Sequence, residues 1–110
     1  MSSISTHVLD TARGRPAGGM SVQLHRLGAA ATQVNDGVTD SDGRIGDLAV
    51  DVPPGTYKVT FGTGPYLARH GVEDAFYPAV EIIFHIYEDD EHYHIPLLLS
   101  PFGYSTYRGS

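Results

Sequence analysis

Apolar residues recur at every second position along this chain, in short runs cut by glycine and proline. Val80, Ile82, Phe84 and Ile86 form one face of the run from Val80 to Tyr87, with Glu81 and His85 on the other. That is the period of an extended strand buried on one side. The same alternation places Tyr57, Val59 and Phe61 against Lys58 and Thr60 in Thr56 to Gly62. It places Met20, Val22 and Leu24 against Ser21, Gln23 and His25 in Met20 to Leu27, and Ile4, Thr6 and Val8 against Ser5, His7 and Leu9 in Ile4 to Asp10. From His92 to Leu99 the apolar face is Tyr93, Ile95, Leu97 and Leu99.

Turn chemistry separates the runs. Gly14 to Gly19, Asp40-Ser41-Asp42-Gly43, Pro53-Pro54-Gly55, the acidic Glu88-Asp89-Asp90-Glu91 and Ser100-Pro101-Phe102-Gly103 all carry residues suited to tight or left-handed backbone. Weaker patterns predict a short strand over Thr32 to Asn35, a brief one starting near Arg44 and a last one over Tyr104 to Arg108. One helical turn is expected over Tyr66 to His70, with Pro65 at its start and Gly71 at its C-cap. Pro96 falls inside a predicted strand and cannot donate a ladder hydrogen bond, so its nitrogen should sit at an unpaired or bulged position. About eight short strands with breaks roughly every ten residues predict an all-β, two-sheet sandwich with one short helix.

Composition narrows the function classes. At 110 residues, positions 1–110 are expected to make a single domain. A hydrophobic share of 41% against 18% charged residues argues for a folded globule. The net charge of −6, with only seven Lys and Arg, argues against nucleic acid as a partner. The chain has no cysteine, which leaves neither disulfides nor thiolate metal ligands. The first residues show no secretory pattern, and no apolar run is long enough for a membrane span, so a cytoplasmic protein without a membrane partner is expected.

Six histidines stand out, and alternation sorts them. His92 and His94 point away from the core with Pro96 and Leu98, and His7 points away with Ser5 and Leu9. Outward leucines beside histidines suggest that another subunit covers this face. A partly desolvated histidine at such a seam is suited to general acid–base work. His25, His70 and His85 read as surface or structural residues, and His92, beside the acidic turn, reads as solvated. A zinc site built from His92, His94 and His7 is the competing reading, but no carboxylate is clearly placed to complete it. There is no Gly-x-Ser-x-Gly elbow and no phosphate-binding glycine loop.

Three segments together resemble the hydrolase branch of the transthyretin-like family. They are Ser5-Thr6-His7-Val8-Leu9-Asp10 with Gly14-Arg15-Pro16-Ala17; Asp42-Gly43-Arg44; and His92-Tyr93-His94-Ile95-Pro96-Leu97-Leu98-Leu99-Ser100-Pro101-Phe102-Gly103-Tyr104-Ser105-Thr106-Tyr107-Arg108-Gly109-Ser110. The resemblance covers essentially the whole chain. Its most specific element is the final Tyr107-Arg108-Gly109-Ser110, which the hormone-carrier branch lacks. Phe102, where tyrosine is common, is a conservative departure.

The resemblance implies a two-sheet sandwich assembled as a homotetramer, a dimer of dimers, with sites in the channel between dimers. It implies hydrolytic ring opening of the small molecule 5-hydroxyisourate, in urate and purine breakdown, with no metal and no organic cofactor. On that expectation His94, or His7 with it, activates water, and Arg44 orients the substrate and stabilises the oxyanion. Tyr107 and Arg108 add donors, Ser105 lines the pocket, and the Ser110 carboxylate orients a neighbour. The alternatives are a transthyretin-type carrier of a small ligand without catalysis, and a purely structural sandwich.

Overall fold

The computed structural model describes residues 1–87 and 90–109. Among these, the chain forms nine strands and one helix. The strands are β1 (Ser2–Asp10), β2 (Arg15–Pro16), β3 (Ser21–Leu27), β4 (Thr32–Val38), β5 (Arg44–Val52), β6 (Gly55–Phe61), β7 (Val80–Ile86), β8 (His92–Ser100) and β9 (Gly103–Thr106). The helix α1 (Thr63–Arg69) lies between β6 and β7. Glu88 and Asp89 of the expected acidic turn, and Ser110, lie outside the described residues.

Two sheets result. One has the order β2-β1-β8-β9, with β5 sharing the β2 side of β1; the other has the order β4-β3-β6-β7. The molecule's shortest extent is 20 Å, which accommodates two sheets packed about 10 Å apart. The inward residues read from alternation meet between them. Ile4, Val8, Met20, Val22, Leu24, Tyr57, Val59, Phe61, Leu97 and Leu99 are fully buried. Each large side chain buried in this way contributes roughly 1.5–3 kcal/mol.

The β1–β8 pairing is parallel, and it joins the two ends of the chain in one unbroken register from Ser3↔His92 to Asp10↔Leu99. All other strand pairings are antiparallel. β5 is longer than the brief strand expected. It pairs His7↔Arg44 and Thr6↔Ile45 but then Ile4↔Ala49, so β5 advances four residues while β1 advances two. The extra residues bulge out of the ladder.

Several boundaries differ from the sequence reading. β4 continues to Val38, because β3 remains available as a partner as far as Ser21. The helix begins earlier, at Thr63, whose hydroxyl donates to the Tyr77 carbonyl oxygen at 2.9 Å. It buries Tyr66 and Leu67, and Gly71 follows its end at φ +85°. β9 stops at Thr106, leaving Tyr107 and Arg108 beyond the strand. Pro96 behaves as expected. The β8–β9 ladder ends at Leu97↔Thr106, one residue short of the proline. The Thr106 hydroxyl then donates to the Pro96 carbonyl oxygen at 2.6 Å, satisfying the acceptor that the ladder leaves behind.

Candidate active site

The outer face of the β1–β8 pair carries the chemistry. Parallel register sets Ser3 beside His92, Ser5 beside His94 and His7 beside Pro96. On the other edge of β1, His7 pairs with Arg44. Three histidines and an arginine, drawn from three strands, thereby share one surface. A pocket of about 330 Å³ opens there, lined by Ser5, Thr6, Arg44, Gly46, His92 and His94. Gly46 lies in the β5 bulge, so the irregular stretch of β5 forms part of the pocket wall.

Arg44 is placed by the turn before it. The Asp40 carboxylate accepts from the peptide nitrogens of Asp42 at 2.9 Å and Arg44 at 3.0 Å, an Asx-type arrangement. Gly43 has φ +74°, and a side chain there would run into the Val8 carbonyl oxygen. The Gly43 carbonyl oxygen accepts from the Val8 nitrogen at 2.8 Å. The Asp-Ser-Asp-Gly sequence thus locks the turn onto β1 and delivers Arg44 beside His7.

Hydrogen bonds organise the histidines. Ser5 Oγ lies 2.7 Å from His94 Nδ1 and 2.8 Å from His92 Nε2. His92 Nδ1 lies 2.7 Å from Ser3 Oγ. With Nδ1 committed to Ser5, Nε2 is the His94 nitrogen left for chemistry in the pocket. From the other side, the Gly109 nitrogen donates to the His94 carbonyl oxygen at 2.9 Å. A Cβ on Gly109 would sit 2.5 Å from His94 Cδ2, so only glycine lets the tail pass this close to the ring.

The pKa of His94 is lowered from the ordinary histidine value of 6.5. Burial is the largest cause, followed by the charges of His7, Arg44 and His92. Each of these effects disfavours the imidazolium. His94 is therefore neutral near pH 7, with a lone pair available on one nitrogen.

The other expected residues lie elsewhere on the same chain. Ser105 pairs with Leu98, further along the outer face, and lines a separate pocket with Thr11, Ser100 and Tyr104. Tyr107 is exposed, and it and Arg108 line a third pocket with Ile82, Phe84, Tyr93 and Ile95. Arg108 is held by its own neighbours. Its guanidinium lies 4.5 Å from the centre of the Tyr93 ring, and Nη2 lies 3.6 Å from Glu91 Oε2. Ser110 lies outside the described residues.

Sequence reasoning missed the parts that depend on strand pairing. Alternation alone gives Ser5 an outward position and no task, and it leaves His92 solvated beside the acidic turn. His92 is indeed exposed, but both of its ring nitrogens are hydrogen-bonded. The available signal was the i, i+2 repeat of Ser3, Ser5 and His7 facing that of His92 and His94, which becomes informative once the two strands are known to be neighbours. Among the described residues, no group of three His, Cys, Asp or Glu side chains is arranged to hold a metal ion. Among the described residues, no helix is long and apolar enough to cross a membrane.

A 5-hydroxyisourate hydrolase of Salmonella dublin is 47% identical over 110 residues, covering 97% of this chain and 80% of its own. The structure of the Klebsiella pneumoniae 5-hydroxyisourate hydrolase superposes with a TM-score of 0.90 at 40% identity, covering 100% of both chains. Sea bream transthyretin in complex with thyroxine superposes equally well, with a TM-score of 0.91 at 34% identity, over 97% of this chain and 94% of its own. Backbone shape does not separate the two, whereas sequence identity is higher to the hydrolases. A match to the HIUase/Transthyretin family runs over residues 4–109, and the chain belongs to that family.

Proposed function

We propose that this chain, acting as one domain over residues 1–110, hydrolyses 5-hydroxyisourate by opening a cyclic amide, with His94 as general base. The observation that carries the reading is the placement of a neutral, half-buried His94 beside Arg44 in one polar pocket. The relatives named for that activity support it, being more similar in sequence than the carrier.

In this mechanism His94 Nε2 takes a proton from water as the water oxygen attacks the ring carbonyl. The C–N bond then breaks, and the departing nitrogen receives a proton. Arg44 has a permanent charge and a planar fork of donors, which suits an oxygen-rich heterocycle and the oxyanion formed on attack. His7, beside Arg44, adds a second polar group on the same surface. No metal and no organic cofactor enters these steps.

The C-terminal tetrapeptide enters through Gly109, which holds the tail against His94. A binding role for Ser105, Tyr107 and Arg108 requires a surface beyond this chain, since they line other pockets here. We place that surface in a homotetramer. Half-buried Leu9 and Leu98 and exposed Tyr104 and Tyr107 are apolar enough to be covered by a second copy. The cytoplasm is the proposed setting, in keeping with a chain that has no cysteine.

The carrier reading draws on the likeness to sea bream transthyretin. His92, His94 and Arg44 disfavour it by making the pocket polar. The test is the decay of freshly generated 5-hydroxyisourate, followed by ultraviolet absorbance with and without the protein. Faster decay that His94→Ala abolishes supports the hydrolase. Decay at the spontaneous rate rejects it and favours the carrier.

A further inference from the structure

We propose that Ser5 and His92 are positioning residues for His94, and that Ser3, His92, Ser5 and His94 form a single proton relay from the pocket to solvent. The inference rests on the reading of His94 as the base, and it assigns work to three residues with no other role in that reading.

Ser5 Oγ lies within hydrogen-bond distance of two imidazole nitrogens, His94 Nδ1 and His92 Nε2. A hydroxyl carries one hydrogen and can accept two, so with its hydrogen used between the two rings it donates to one of them and accepts from the other. When both rings are neutral, their tautomers are therefore coupled. In one state His94 Nδ1–H donates to Ser5, Ser5 donates to His92 Nε2, and His92 Nδ1–H donates to Ser3. In the other state all three donors reverse, and His94 carries its hydrogen on Nε2.

Only the first state leaves a lone pair on His94 Nε2, as a base in the pocket requires. When that nitrogen takes a proton from water, the Nδ1 hydrogen moves to Ser5 and the Ser5 hydrogen moves to His92 Nε2. The His92 Nδ1 hydrogen then moves to Ser3, whose own hydrogen passes to solvent. One proton has entered and one has left, and both rings remain neutral. His94 now bears Nε2–H and can protonate the departing ring nitrogen. The reverse transfers, drawing one proton from solvent, restore the first state.

Two features of the site favour this arrangement over a free-standing histidine. His94 is partly buried beside the fixed charge of Arg44, so a persistent imidazolium there is disfavoured, and the relay avoids forming one. His92 is exposed and its hydrogen bond to Ser3 lies at the surface, so the far end of the relay reaches water.

The test combines tautomer and turnover. Long-range proton–nitrogen NMR at a pH where both rings are neutral should find wild-type His94 and His92 as Nδ1–H. Ser5→Ala should return His94 to Nε2–H, the form free histidine prefers. It should also lower kcat by roughly 10- to 100-fold, a part of what general base catalysis supplies, with little change in KM. Ser5→Thr, which keeps the hydroxyl, should restore both. His92→Ala removes the acceptor below Ser5 and should move tautomer and kcat in the same direction, providing a second variant if Ser5→Ala does not fold. An active wild-type enzyme with His94 as Nε2–H overturns the relay alone. So do variants in which the tautomer or kcat stays at its wild-type value. A wild-type protein that leaves the decay of 5-hydroxyisourate unaccelerated overturns the hydrolase reading itself and removes the relay's purpose.

Discussion

The Gly109 nitrogen donates to the carbonyl oxygen of His94, and the glycine passes so close to the imidazole that a Cβ would lie 2.5 Å from Cδ2. The tail thus forms one wall against the ring, while Ser5 holds its Nδ1. Gly109→Ala should displace the ring from the pocket or detach the tail. Overpacking of this kind costs roughly 1–3 kcal/mol, so the variant should still fold. Its kcat should drop on the order of 100-fold, because a small misplacement of a reacting group is costly. Steady-state kinetics together with a thermal melt check this; a folded Gly109→Ala protein with wild-type kcat would show that the tail does not position His94.

Arg44 should prove more important as a planar donor than as a charge. Arg44→Ala should lower kcat/KM by roughly 10²–10³, the usual loss when an oxyanion donor is removed. Arg44→Lys should recover little of it, since an ammonium cannot reproduce the two-pronged geometry. The side chain is exposed and its backbone is held by Asp40, so the melting temperature should barely move. A lysine variant with near wild-type kcat/KM would reduce Arg44 to an electrostatic role.

The pH profile follows from the direction of the His94 shift. A lowered pKa keeps the base neutral further into acid than an ordinary histidine, so the acid limb of kcat/KM should lie below 6.5. Arg44→Gln removes one of the charges that disfavour the imidazolium, and it should move that limb upward. The sign for stability runs the same way. Below 6.5 the unfolded chain binds the His94 proton before the folded one does, so stability falls as pH drops through that window. NMR titration of His94 in both proteins checks the direction; a limb that stays in place in Arg44→Gln would rule out this charge as a cause.

Much of the fold was legible because burial on one face imposes a period of two. Ile4, Val8, Val22, Leu24, Tyr57, Val59, Leu97 and Leu99 were all placed inward by that period alone, and all are buried. Pro96 announced the end of a ladder by the hydrogen it lacks. Strand partners were not legible, since alternation says which way a side chain faces but not what lies beside it. Ser5 and His94 are 89 residues apart and meet only through a parallel register that no local pattern encodes. The same gap explains Tyr107, which the period assigned to a strand that in fact stops at Thr106.

Gly43→Ala tests the turn that delivers Arg44. At φ +74° an alanine carries left-handed strain of about 1–3 kcal/mol, and its Cβ also meets the Val8 carbonyl oxygen. The melting temperature should fall on the order of 10 °C for a chain of this size. Because the Gly43 carbonyl also anchors Val8, activity should fall along with stability. Hydrogen exchange at the Val8 amide, faster in the variant, would locate the damage; an unchanged exchange rate would show that the turn relaxes without loosening β1.

Arg108 offers the last test, because two roles make different predictions for it. Its guanidinium stacks on Tyr93 and faces Glu91, whose carboxylate also accepts from the Tyr93 hydroxyl at 3.1 Å. If Arg108 acts by anchoring the tail that carries Gly109 to His94, then removing its platform should do the same harm as removing the arginine. Arg108→Ala and Tyr93→Leu should each lower kcat by a similar factor, and the double variant should be no worse than either one, since contacting residues that act as a unit do not add. If Arg108 instead binds substrate across a subunit boundary, Arg108→Ala should raise KM strongly while Tyr93→Leu leaves KM unchanged. A double-mutant cycle on kcat and KM separates the two, with additive losses counting against the anchor.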